Sequence, residues 1–163
     1  MNYWLLKSEP SAFSLQDLAK APHQRTVWDG VRNYQARNML RDEIKVHDLA
    51  FFYHSNCPTP GIVGIVRVVT AGYPDPSQCN PHSRYYDAKS SLKHPRWYSI
   101  DVVLTEQWAV PISLAILRLE PLLTDMVILR RGNRLSVTPV TPQQWNQIMS
   151  LLRAGIHKRK HLG

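Results

Sequence analysis

The chain has 163 residues, 44% of them hydrophobic and 20% charged, which is the composition of one globular domain with an ordinary core and excludes a disordered or low-complexity protein. Lys and Arg number 20 against 12 Asp and Glu, a net +8; this favours a polyanionic partner, nucleic acid before an anionic membrane surface. No run approaches the roughly 18 apolar residues of a membrane span, so no membrane association is expected.

Part of the charge lies in the tail His157-Lys158-Arg159-Lys160-His161, read as a disordered, solubilising end, and the body stays basic without it. Cys57 and Cys79 sit apart in Pro-rich sequence, too few for a thiolate zinc site. The His residues show no paired ligand spacing, so neither a metal nor another cofactor is expected. Met1–Lys7 lacks the basic start and long apolar core of a signal peptide, which points to the cytoplasm, or the nucleus if the source is eukaryotic.

In chain order, Tyr3–Lys7 is apolar and β-prone and ends at Ser8-Glu9-Pro10. Ser14-Leu15-Gln16-Asp17 starts a short helix with a capping pattern, stopped before Pro22. Trp28-Asp29-Gly30 reads as a turn, and Asn33 as the N-cap of a helix to about Glu43. Ala36, Met39, Leu40 and Ile44 form its buried stripe. Tyr34, Arg37, Asn38 and Arg41 fall on the opposite face: an aromatic plate, two cations and an amide that both donates and accepts. Asp48–Ser55 reads as a strand buried on both faces, closed by Pro58 and Pro60. Gly61–Ala71 is a second such strand, with Gly64 marking a bulge or close backbone contact. Tyr73–Pro95 is a long loop rich in Pro, Ser and Asn that carries Tyr85, Tyr86, Lys89 and Lys93, with Arg96 just beyond; a loop of that length is often functional.

Trp97–Leu104 is the next strand. Pro111-Ile112 opens a short piece, and Ser113 caps a helix over Leu114–Leu119. Asp125–Arg131 is apolar and ambiguous. Gly132-Asn133-Arg134 turns into a short strand, Leu135-Ser136-Val137. Thr141-Pro142-Gln143-Gln144 begins a helix to about Arg153, with Trp145, Ile148, Met149 and Leu152 as its core stripe. Strands and helices of varied length without regular alternation indicate an α+β fold with a curled, mostly antiparallel sheet. Residues 1–153 form the single domain and 154–163 the basic tail; a monomer is expected.

For chemistry, two readings compete. Lys7 with Glu9, or His54 with Ser55, offers groups for proton transfer or nucleophile activation. No nucleophile elbow, P-loop or dinucleotide-binding glycine pattern accompanies them, and Asp29 and Asp101 are isolated carboxylates. Binding of an unstacked base requires aromatic plates, edge-reading amides or hydroxyls, and cations for the flanking phosphates. Trp28, Tyr34 and Trp97 supply plates. Asn33, Asn38, Ser8 and the backbone of Lys7–Glu9 read an edge, and Arg32, Arg37, Arg41, Lys93 and Arg96 meet phosphates. A non-enzymatic binder is the preferred reading.

The blocks Tyr3–Pro10, Trp28–Asn38, Phe52–Ser55, Gly61–Gly64, Trp97–Val102 and Arg134–Pro139 resemble, in order, the signature blocks of EVE-domain proteins. The resemblance covers about residues 2–152 and departs from the family pattern at Met126–Gly132. It implies a PUA-like fold, a small curled β-barrel flanked by short helices and related to the YTH readers of methylated adenine. It also implies a pocket for a modified base, a modified cytosine in DNA or a modified base in RNA. On this chain the resemblance places Lys7, Ser8 and Glu9 on one wall. Trp28, Val31, Asn33, Tyr34 and Asn38 of the Trp28–Asn38 block, with His54, Ser55 and Trp97, form the others, and Ser136 lies beside the divergent segment. Other PUA-like domains include small hydrolases, so the alternative is an enzyme acting on a modified nucleoside through Lys7 and Glu9.

Overall fold

Successive side chains of a strand point to opposite faces of its sheet, and here both faces are buried. In β1 (Tyr3–Ser8), Trp4 and Leu6 enter one apolar cluster and Leu5 the other. In β3 (Leu49–His54), Ala50 and Phe52 join the first cluster while Phe51 and Tyr53 join the second. In β4 (Gly61–Val68), Val63, Val66 and Val68 face the first and Ile62 and Ile65 the second, a slip of one residue around Gly64. The pairing slips at the same place: Phe52 opposes Gly64 and Tyr53 opposes Ile62, leaving Val63 as the extra residue of a bulge. Gly64 is required there, because a Cβ would lie 2.2 Å from the carbonyl oxygen of Glu106 on the neighbouring strand.

The computed structural model describes the backbone of residues 1–160 and the side chains of residues 1–155. The remaining elements are α1 (Leu15–Lys20), β2 (Arg25–Trp28), α2 (Tyr34–Asn38), β5 (Tyr73–Pro74), β6 (Tyr98–Ser113), α3 (Leu114–Leu119), β7 (Val137–Val140) and α4 (Pro142–Lys160). The fold is α+β. Its sheet runs β2-β6-β4-β3-β1-β7, with β5 beside β6. Every pairing is antiparallel except β1 with β3. The sheet's hydrogen-bonded path is open, with β2 and β7 as its edges.

Both clusters have helical covers. α1 and α2 supply Leu15, Leu18 and Ala36 to the first, while α3 and α4 supply Leu117, Trp145 and Ile148 to the second. There Trp145 lies between Tyr3 (ring centroids 4.4 Å apart) and Phe51 (3.9 Å), both stacked. The helix after Asn33 is α-helical for one short segment. It then widens to a π turn over Met39–Glu43, closed by the Ile44 N–H donating to Met39 O at 2.9 Å.

Four elements differ from the sequence expectations. β6 continues beyond Leu104 to Ser113, through Pro111. Its pairing with β4 skips from Gln107 to Ile112, so the proline sits in a bulge where no ladder donor is needed. β2 precedes the Trp28 turn as a strand, with the alternation Arg25, Thr26, Val27, Trp28 burying only Trp28. The Tyr73–Pro95 loop contains β5 and a 3-10 turn over Pro76–Cys79. α4 runs past the expected stop at Arg153 to Lys160. Of the tail expected to be disordered, 154–163, residues 154–160 are helical backbone and residues 161–163 lie outside the described residues.

The parallel pairing of β1 and β3 sets the C-terminal ends of these strands side by side, Lys7 opposite Tyr53 and Ser8 opposite His54. The Lys7 N–H donates to Ser136 O at 2.8 Å, drawing in the loop before β7. These ends frame the site.

A candidate nucleic-acid interface at the strand ends

A cavity of about 550 Å³ opens where β1 ends, between Lys7-Ser8-Glu9, Phe13, the Thr26–Val31 segment, Arg84-Tyr85 and Ser136. Its size is that of a small-ligand pocket. Glu9 O accepts from the Ala12 and Phe13 N–H groups at 2.9 Å each, turning the chain back beside the cavity. The Ser8 hydroxyl donates to Phe13 O at 2.6 Å, so toward the cavity it offers only lone pairs. Trp28, 7% exposed, forms the floor with its ring edge-on to Phe52, centroids 5.4 Å apart. Val31 is likewise buried beside it.

Gly30 has φ +76°, and a Cβ there would lie 2.5 Å from Cζ of Tyr85. The phenol end of Tyr85 therefore rests directly on the Gly30 backbone and walls the cavity. Tyr85 belongs to the long loop, and buried polar hubs hold that loop in place. Asp75, with no exposed side-chain surface, accepts from the Gly30 N–H at 2.9 Å, from Arg32 Nη1 at 2.9 Å and from the Ser77 N–H at 2.8 Å. Burial acts to raise the Asp75 pKa, but the bonds from Ser77, Gly30 and Arg32 outweigh it and hold the carboxyl below its ordinary value. Gln78, 1% exposed, donates Nε2 to Asp75 O (2.8 Å) and Trp97 O (2.9 Å). Its Oε1 accepts from the Trp97 N–H (3.0 Å) and the Arg96 N–H (3.2 Å), stitching the loop's two ends together.

Beside the cavity runs a ladder of rings and guanidinium groups. The Arg32 guanidinium lies over Tyr85 (5.6 Å) and Trp97 (5.3 Å), and Trp97 stacks on Tyr34 (4.8 Å, 22°). Arg37 and Arg96 both lie over Tyr34, at 4.7 and 5.6 Å. Arg84 covers Tyr85 at 5.0 Å. Within the cavity, desolvation lowers the Lys7 pKa. Desolvation, and after it the charge of Asp75, raises the Asp29 carboxyl at the rim.

The structure sorts the sequence-derived site residues into two groups. Lys7, Ser8, Glu9, Trp28, Val31 and Ser136 line the cavity together. The other candidates stand apart from it. Asn33 spends its side chain as the N-cap of α2, accepting from the Ala36 N–H at 3.1 Å. Asn38 accepts from Arg37 Nε at 3.0 Å. His54 Nε2 accepts from the Leu15 N–H at 3.1 Å, which anchors the start of α1, and burial lowers its pKa. The imidazole is thus held neutral with its proton on Nδ1. Ser55 faces a neighbouring cleft instead. Tyr34, 46% exposed, and Trp97, 6% exposed with Nε1 bound to Asp87 at 2.7 Å, belong to the ladder.

Among the cations, Arg32 has its donors committed inside the protein, to Asp75, Val31 O, Ser77 and Tyr85 O. Arg41 forms a two-pronged pair with Asp42 at 2.8 Å. Arg37 donates Nη1 to Arg96 O at 2.7 Å, and Arg96 bonds the Tyr34 hydroxyl and lies 3.4 Å from Asp87. Lys93 is exposed on the loop. Sequence reasoning did not assign Tyr85, Arg84, Phe13 or Gly30 to the site; the length of the loop and the glycine at the turn were the available signals. Among the described residues no ion pair joins Lys7 to Glu9, and no group of three or more His, Cys, Asp or Glu is placed to hold a metal.

Comparison with known proteins identifies the family. A family model described as "EVE domain" matches residues 2–151. Rat thymocyte nuclear protein 1 is 42% identical over 171 aligned residues, spanning 94% of this chain and 74% of that protein. A protein of known crystal structure from Pseudomonas putida superposes with a TM-score of 0.88 at 45% identity, covering 92% of this chain and 99% of that one. The human THYN1 protein, solved in complex with DNA containing 5-methylcytosine, superposes with a TM-score of 0.87 at 39% identity, covering 93% of this chain and 98% of that one. The chain belongs to the EVE domain family.

Proposed function

From that membership and the strand-end cavity, we propose that this chain is a non-enzymatic reader of a modified base in DNA, with 5-methylcytosine as the first candidate. The observation that carries the proposal is the juxtaposition of a base-sized cavity, walled by Trp28, Val31 and Tyr85, with the ladder of Tyr34, Arg37 and Arg96. A base reaches such a cavity only after leaving its stack. Tyr85 then supplies a stacking surface, worth about 1–3 kcal/mol for one base. The Lys7 ammonium, the Ser136 hydroxyl and the Ser8 lone pairs face the polar edge. Val27, Val31 and Phe13 form an apolar wall against which a methyl group is desolvated. Arg37, Arg84 and Arg96 meet the flanking phosphates, which fix register without reading sequence. The human relative bound to 5-methylcytosine DNA supports this reading.

The test is titration of matched oligonucleotides carrying cytosine or 5-methylcytosine, as DNA and as RNA, at low and high salt. Overall affinity falls as salt rises, because phosphate contacts release counterions. The preference for the modified base persists, at roughly tenfold or more if one methyl group fills an apolar wall. Equal affinity for all strands at high salt overturns the proposal.

A further inference from the structure

Lys7 borders a second cleft, of about 640 Å³, that the base pocket does not explain. Its other walls come from the loop after β3 (Ser55, Asn56), from α3 (Arg118) and from the segment Ile128–Asn133 that precedes β7. Arg118, Arg130 and Arg131 line it with Lys7, and no Asp or Glu does. Four arginines, Arg25, Arg32, Arg41 and Arg96, are each paired with a carboxylate. Arg118, Arg130 and Arg131, like Arg37, Arg67, Arg84, Arg134 and Arg153, have no such pairing among the described residues, but only these first three gather in this cleft with Lys7. All three are exposed. Asn133, on the same wall, has its Nδ2 buried without a hydrogen-bond partner. Unpaired guanidinium groups converging on a concave surface without a counter-charge favour an anion with several oxygens.

We propose that this cleft holds backbone phosphates of the same nucleic acid whose base enters the pocket. The strand then crosses Lys7, with the Tyr34 ladder on one side and the Arg118–Arg130–Arg131 cleft on the other. The inference rests on the base-reading proposal for its ligand, and on unpaired charge and continuity through Lys7 for its location. Arg130 and Arg131 lie in the segment, Met126–Gly132, where the sequence departs from the family pattern.

The test is the salt dependence of DNA binding by full-length protein for the Arg130→Ala/Arg131→Ala double variant. Lys20→Ala/Lys45→Ala serves as a charge-matched control on exposed positions away from the cleft, and thermal melts verify folding. With duplex DNA, losing two phosphate contacts lowers the slope of log affinity against log salt by about 1.8, and affinity at moderate salt by roughly tenfold or more. The loss is equal for modified and unmodified strands, leaving the preference ratio unchanged. An unchanged slope, or one that shifts no more than in the control, overturns the cleft. If the wild type shows no preference for a modified base while the slope still falls in the double variant, the pocket reading fails and the phosphate cleft stands.

Discussion

On one face of the sheet Trp145 lies between Tyr3 and Phe51, in a cluster of apolar and aromatic side chains from β1, β3, β4, β6, β7 and the helices. The opposite face has a comparable apolar floor, with Trp28 edge-on to Phe52, but above it stands a buried polar frame in which Asp75 and Gln78 hold the loop that carries Tyr85. Dispersion and area burial are enough to fold a domain, and they tolerate small shifts. A recognition pocket needs its walls fixed to fractions of an ångström, and directional bonds in a desolvated setting provide that. The difference predicts that damage to the first face lowers stability without changing recognition, and that damage to the second does the reverse.

The largest expected effect is on the aromatic face. Trp145→Ala removes a 5%-exposed side chain from the centre of the stack and lowers stability by about 3–5 kcal/mol. The folded fraction still binds DNA with wild-type affinity. Denaturant melts read beside titrations corrected for folded fraction check this, and a loss of intrinsic affinity means that the two faces are coupled.

Gln78→Ala tests the other side. It strands the buried Trp97 N–H, whose partner is Gln78 Oε1, and removes one of the two donors to each of the Asp75 and Trp97 carbonyls, which keep a backbone N–H. A stranded group of this kind costs about 1–3 kcal/mol. Because the loop can open without unfolding the sheet, most of that cost is met locally. Hydrogen exchange over residues 75–97 rises, modified-base binding collapses, and the global melting temperature shifts less than in Trp145→Ala.

The sequence shows the aromatic face more plainly than the polar frame. Alternation in β1 and β3 and the Trp145–Ile148 stripe are periodic signals, and Gly64 marks its bulge because only a missing Cβ admits the Glu106 carbonyl. Lys7, Ser8, Glu9 and Trp28 were placed at the cavity because strand ends and aromatic turns stand out in the chain. Asn33 was legible as an N-cap and also looked like a base contact, and the cap is what its side chain makes. His54 looked like a pocket wall, yet its imidazole accepts from the first N–H of α1, and nothing in residue type separates such an imidazole from a recognition group. Arg32 looked like a phosphate ligand because its partner Asp75 is 43 residues away in sequence. Tyr85 stood in a loop long enough to suggest function, but its role was hidden for the same reason: it depends on contact with Gly30, across a loop held by Gln78 rather than by any local pattern.

Gly30→Ala sharpens the comparison at a single atom. The backbone there has φ +76°, and the new Cβ meets Tyr85; the strained backbone alone costs about 1–2 kcal/mol. Tyr85 must swing away to relieve the contact, so the modified-base preference falls while non-specific affinity for unmodified DNA is retained. Tyr85→Ala in the same background has little further effect on preference if this is the mechanism. An additive loss means that Tyr85 stays in place and that the backbone strain acts elsewhere.

The smallest effect concerns protons, and it also divides along the frame. Asp29 has its pKa raised above 3.8 by desolvation and then by the Asp75 charge. Ionising it therefore weakens the fold: the penalty is absent below pH 3.8 and grows as pH rises through the folded-state value. Asp75 is shifted the other way, so its contribution is complete above pH 3.8 and is lost as pH falls through its depressed value. Asp29→Asn should thus leave stability unchanged in acid and raise it at neutral pH, by only ~0.3 kcal/mol because the side chain is largely in water. Removing a negative charge from the pocket rim also strengthens DNA binding at low salt, and screening removes that gain as salt rises. Melts of Asp29→Asn and wild type between pH 3 and 7 separate the two carboxylates. If the variant gains stability toward acid instead, Asp29 is stabilised as its anion, and the rim attracts cations rather than phosphates.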